Sequence, residues 1–106
     1  MPKEITVQEL KRRLDAGEQF RFVDVREPSE YEDFNLGADL VPLGTIPQRL
    51  DEFGDKDEEL VLHCRSGGRS GQAQRYLESQ GYTDVYNVVG GVLAWREQFG
   101  DATGRR

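Results

Sequence analysis

The residues in this chain best suited to chemistry gather at its one cysteine, in the run Cys64-Arg65-Ser66-Gly67-Gly68-Arg69-Ser70. A lone cysteine is ordinarily a small buried hydrophobe, so its neighbours decide whether it is anything more. Here the thiol is followed by a loop with two glycines that enters a helix. Such a loop can curl until successive backbone N–H groups and the helix N-terminus face one point, which suits an anion. Arg65 and Arg69 add two permanent charges, and no Asp or Glu stands between Leu60 and Leu77 in an otherwise acidic chain. Each feature favours thiolate over thiol, and cysteines so placed have pKa values lowered from about 8.5 to as little as roughly 3.5. Cys64 is therefore expected to be a thiolate nucleophile at neutral pH.

The other residues of the loop have roles to fill around that sulfur. Gly67 and Gly68 are expected to take positive φ and aim the N–H donors. Ser70 reads first as a helix cap and second as a donor to sulfur. Arg65 should point outward and recognise an anionic substrate, while Arg69 either bonds loop carbonyls or meets the substrate, and both roles stay open. His63 precedes Cys64 in a strand, so its side chain should face the opposite side of the sheet, in the core or behind the site. Asp24 and Arg26 end a neighbouring strand and read as a structural ion pair beneath the loop.

The elements that hold these residues follow from punctuation and periodicity. Thr6 with Glu9 forms a capping box, and Val7, Leu10 and Leu14 share a face, so a first helix should run to about Gly17. Phe20 to Val25 reads as a buried strand that enters a turn at Pro28. Ser29 with Glu32 marks a short helix, and Thr45 with Gln48 another, with Pro47 in its first turn and Gly54 past its end. Leu60 to His63 is a short apolar strand. Ala73, Tyr76 and Leu77 recur at helical spacing up to Gly81, Val85 to Val89 forms a strand, and Val92, Trp95 and Phe99 share one face of a last helix. Tyr76 and Trp95 belong to the core. Strands alternating with helices predict an α/β fold, a small open parallel sheet with helices on both faces. Ligands in such folds sit beyond the carboxyl ends of the strands, where Cys64 lies.

Bulk properties narrow the class. The 106 residues suit a single domain over 1–100, with 101–106 as a disordered tail. Twenty acidic against fourteen basic side chains give a net charge of −6, which repels a phosphate backbone and argues against nucleic acid. The first ten residues lack an apolar h-region, and no stretch approaches the roughly 20 apolar residues that span a bilayer. One cysteine excludes an internal disulfide and favours a reducing compartment, so the chain is expected to be cytoplasmic with no membrane partner. No metal or cofactor is called for.

Three ordered blocks carry a family resemblance. Cys64 to Ser70 resembles the active-site loop of the rhodanese (thiosulfate sulfurtransferase) family. Phe22-Val23-Asp24-Val25-Arg26-Glu27-Pro28 with Glu30-Tyr31 is similar to its first block, and Gly81-Tyr82 through Val85-Tyr86-Asn87 to Gly90-Gly91 and Trp95 resembles its closing one. The resemblance implies a five-stranded parallel sheet. It also implies a persulfide cycle in which Cys64 takes the outer sulfur of a small anionic donor and yields it to an external thiol or sulfur-acceptor protein. Asp33-Phe34-Asn35-Leu36-Gly37-Ala38 departs from the family's Gly-His-Ile-x-Gly-Ala element and is taken as a structural turn variant. His63-Cys64 and Arg69-Ser70 also resemble the signature of cysteine-dependent phosphatases. That family places five residues between Cys and Arg, against four here, and the smaller cradle suits one sulfur atom better than a phosphate with three oxygens. A small phosphatase or arsenate reductase, and a non-turnover sulfur carrier or binding module, remain the competing readings.

Overall fold

A computed structural model describes residues 3–101. Strands β1 (Lys3–Ile5), β2 (Arg21–Asp24), β3 (Asp39–Leu40), β4 (Leu60–His63) and β5 (Val85–Val88) alternate with helices α1 (Val7–Asp15), α2 (Pro28–Asp33), α3 (Gly68–Ser79) and α4 (Gly91–Phe99). Two 3₁₀ segments, Leu43–Gln48 and Leu50–Phe53, lie between β3 and β4. The sheet runs in the order β1-β5-β4-β2-β3, and every pairing is parallel. The expected α/β fold with about five strands is therefore present. Residues 102–106 of the expected tail lie outside the described residues.

β4 is central and buried at all four positions, as a parallel strand covered on both faces must be. The period of two sends Leu60, Leu62 and Cys64 to one layer, together with Val23, Val25 and Val85. There Ala73 and Leu77 of α3 close over them with Ile46 and Phe53 of the 3₁₀ segments. Phe22, Val61 and Val88 face the other layer, under Val7 and Leu10 of α1 and Trp95 of α4. Trp95, wholly buried, meets Phe99 edge to face, so the last helix uses the face its spacing indicated.

Several local expectations change. The N–H of Glu9 does donate to Thr6 Oγ1, but the Glu9 carboxylate turns to Arg12 and leaves the capping box half made. α2 is capped by Glu27, not Ser29: Pro28 presets the first helical φ, and Glu30 reaches back to the Glu27 N–H. The segment after Pro42 is 3₁₀ instead of α, because Thr45 donates its hydroxyl to the Pro42 carbonyl and Pro47 removes a backbone donor. β1 and β3 had no sequence signal of their own. Lys3 and Glu4 are exposed edge residues, and Lys3 is fixed by Asp84 at 2.8 Å.

His63 is fully buried on the α1/α4 side, tilted against Phe22 at 5.2 Å, with no hydrogen-bond partner at either ring nitrogen among the described residues. Asp24 lies 3.6 Å away, already engaged by Arg26. Burial is the largest influence and lowers the His63 pKa from 6.5, so the folded chain holds the ring neutral. The unfolded chain then binds the extra proton, and stability that is full above pH 6.5 is lost as pH falls below it. Urea unfolding at pH 7, 6 and 5 should show stability falling as pH falls, at no more than about 1.4 kcal/mol per pH unit for this one group. His63→Leu should flatten that slope.

Candidate active site

Cys64 leaves the end of β4, and the chain turns at once. Gly67 has φ 104°, open to glycine at little strain, whereas Gly68 begins α3 with ordinary φ, so only one of the two glycines supplies the turn expected of both. The turn brings donors onto Cys64 Sγ: the Gly67 N–H at 3.1 Å, the Ser70 N–H at 3.4 Å and the Ser70 hydroxyl at 3.3 Å. Ser70 is thus not the cap of α3. Gly67 holds that position, and Ser70, one turn in and fully buried, faces the sulfur.

Burial pushes the Cys64 thiol up, since only 1% of the residue is exposed. The Ser70 hydroxyl, the Ser70 amide and the amides of Gly67 and Ser66 outweigh that effect, and the net shift is downward from the ordinary thiol value. The thiolate is held by oriented N–H and O–H dipoles, as an oxyanion would be.

The two arginines of the loop differ in placement. Arg69 makes a two-pronged pair with Glu30 at 2.7 and 2.8 Å. Arg69, with help from the Glu27 N–H, brings the Glu30 carboxyl down to about 2 despite its partial burial. Arg65 is exposed and borders a cleft of about 200 Å³ with Phe34, Leu93 and Arg96. Below the loop, Asp24 accepts from the Arg26 guanidinium, from Nε at 3.0 Å to each carboxylate oxygen and from Nη2 at 2.8 Å, and from the Arg26 backbone N–H at 2.9 Å. Arg26 also reaches the Phe34 carbonyl at 2.6 Å. The pair is buried. A larger cleft, of about 410 Å³, borders the amino ends of β2 and β4, near Phe20, Glu58 and Glu59, away from the sulfur.

β5 and α4 support the loop as well. Asn87, in register with Leu62, accepts from the Ser70 hydroxyl at 2.5 Å and donates to the Gly67 carbonyl at 3.1 Å. The N-terminus of α4 docks on the loop, with Val92 N–H on the Cys64 carbonyl at 2.9 Å and Leu93 N–H on that of Arg65 at 3.0 Å. The free N–H groups of a helix start and the carbonyls of the turn satisfy one another. A Cβ at Gly91 would come within 2.4 Å of the Cys64 carbonyl oxygen, which accounts for the glycine there. In the departing segment, Asn35 forms an Asx-turn by accepting from the Gly37 N–H at 2.9 Å, and Leu36 and Ala38 are buried beside it.

The model of the rhodanese-like domain family matches residues 6–98. A sulfurtransferase of Allochromatium vinosum is 42% identical over 96 residues, 90% of this chain and 89% of that one. The putative sulfur carrier protein YrkF of Bacillus subtilis is 38% identical over 87% of this chain, which spans 50% of that longer protein. The crystal structure of a rhodanese-like domain protein from Staphylococcus aureus superposes with a TM-score of 0.80 at 39% identity, covering 88% of this chain and 90% of the other.

Gly91→Ala should destabilise the fold by about 2–5 kcal/mol in chemical denaturation, through overpacking against two carbonyls and strain at positive φ. Gly44→Ala, where a Cβ meets nothing within 4 Å, should stay within about 0.5 kcal/mol.

Proposed function

The chain belongs to the rhodanese-like domain family, and we propose that within its sulfur-transfer chemistry Cys64 carries sulfane sulfur as a persulfide. The donor is a small sulfur anion such as thiosulfate. The Cys64 thiolate attacks the outer sulfur, the Sγ–S bond forms, the S–S bond of the donor breaks, and its electron pair leaves with sulfite. An acceptor thiolate then attacks the outer sulfur, and the pair of the broken Sγ–S bond returns to Cys64. The chain has no second cysteine, so the acceptor is external: a thiol or a sulfur-acceptor protein.

The convergence of the Gly67 and Ser70 donors on Sγ carries this reading. The same cradle holds the thiolate as nucleophile and as leaving group. Ser66, Gly67, Gly68 and Ser70 line the bound sulfur. Arg65, exposed at the rim, draws in the anion, and Arg69 shapes the loop through Glu30. Asp24 and Arg26 support the strand end. The four residues from Arg65 to Gly68 leave a small ring, suited to one sulfur atom. The single cysteine fits a reducing, cytoplasmic setting. The likeness to a putative sulfur carrier favours a second reading, stoichiometric carriage to a dedicated partner.

Steady-state formation of thiocyanate from thiosulfate and cyanide tests the enzyme reading. Turnover by the native chain that disappears in Cys64→Ser is expected; equal rates for both would defeat the proposal, and one sulfur loaded without turnover would favour the carrier. Arg65→Ala should raise the KM for thiosulfate about fivefold with little change in kcat, a loss of ~1 kcal/mol, as befits an exposed charge.

A further inference from the structure

Ser70 has one hydroxyl hydrogen and two acceptors for it: Asn87 Oδ1 at 2.5 Å and Cys64 Sγ at 3.3 Å. The Asn87 amide cannot turn away without loss, because its Nδ2 donates to the Gly67 carbonyl and so keeps Oδ1 toward Ser70. Asn87 is 8% exposed and anchored in β5 beside β4, so its oxygen is a fixed point. The hydrogen must choose. A neutral sulfur is a weak acceptor and loses to an amide oxygen, whereas a hydrogen bond to an ionised partner is roughly twice as strong as a neutral one, and a thiolate wins.

We propose that Ser70 and Asn87 form a two-position donor: the hydrogen rests on Asn87 Oδ1 while Sγ is uncharged and turns to Sγ when it is thiolate, making Asn87 a positioning residue for sulfur discharge. Its second half rests on the persulfide reading. With an outer sulfur bound, the negative charge has passed to that outer sulfur, Sγ has two covalent bonds and no charge, and the hydrogen lies on Asn87. When an acceptor attacks the outer sulfur, the Sγ–S bond breaks and its electron pair stays on Sγ. The hydroxyl rotates onto that pair, and no proton changes owner. The amide thus stores the donor until the leaving group needs it, and the same Asn87 holds Gly67, the other close donor. The charged groups around the cradle are the Arg69–Glu30 pair, Arg65, the buried Asp24–Arg26 pair and Arg75 beside Gly71.

The native chain can report this directly, since Asn35 and Asn87 are its two asparagines. In ¹³C,¹⁵N-labelled protein, the side-chain carbonyl carbon of Asn87 should shift as Cys64 is titrated from thiol to thiolate, and shift back when the thiolate is loaded from thiosulfate. The Asn35 carbon should stay in place, and Ser70→Ala should abolish the Asn87 response. A stationary Asn87 signal, or one that moves equally in Ser70→Ala, overturns the proposal. If mass spectrometry finds no sulfur adduct, the persulfide reading fails, while the thiol-to-thiolate arm still decides the two-position donor. In kinetics, Asn87→Asp holds the hydrogen more tightly and should slow discharge to cyanide about tenfold, as Ser70→Ala should. Asn87→Asp also loses the bond to the Gly67 carbonyl, so the double variant should be slower than Ser70→Ala by much less than tenfold, and full additivity would contradict the link.

Discussion

A sulfur atom buried at the end of a central strand is tolerable as an anion only if donors surround it, and the convergence of Gly67 and Ser70 on Cys64 Sγ supplies them. Removing the thiolate from water opposes its formation, while fixed N–H and O–H dipoles favour it. The second influence prevails here because the donors belong to a turn and a helix start that are already paid for by the fold. The two N–H groups need no rearrangement when charge appears, and the hydroxyl needs only to turn about its own bond.

Much of the surrounding structure keeps that turn in place. From one side α4 docks two N–H groups on the carbonyls of Cys64 and Arg65, and Gly91 is the residue that lets it come so near. From another, Glu30 of α2 grips Arg69 by both prongs. From beneath, Asp24 and Arg26 finish β2, and Asn87 ties β5 to the loop. Four elements distant in sequence thus meet at seven residues of loop. The sheet order brings them together, because β2 and β5 flank β4 on its two sides and their carboxyl ends lie beside Cys64.

The sequence made the central part legible and the rim less so. β2, β4 and β5 announce themselves as apolar runs because parallel strands are buried on both faces. β1 and β3 are short edges whose exposed residues carry no period, and their number came from family resemblance alone. Cys64, Gly67 and the placement of His63 behind the sheet followed from order and alternation. Glu30 and Asn87 did not, since each meets the loop across a long stretch of chain and neither sits in a motif that proclaims a partner. Signals were present in retrospect: Arg69 needed a carboxylate, and a polar side chain at Asn87 within an apolar strand needed hydrogen-bond partners. Serine at a helix start usually caps it, but the turn at Gly67 sets that start three residues before the one Ser70 would cap.

The most direct test of the central claim is to load the chain once with thiosulfate labelled with ³⁵S at the outer sulfur, remove excess donor, and follow the label on adding cyanide. The account predicts one label per chain, absent from Cys64→Ser and released wholly as labelled thiocyanate. Label that fails to bind, or that binds equally without Cys64, would contradict it.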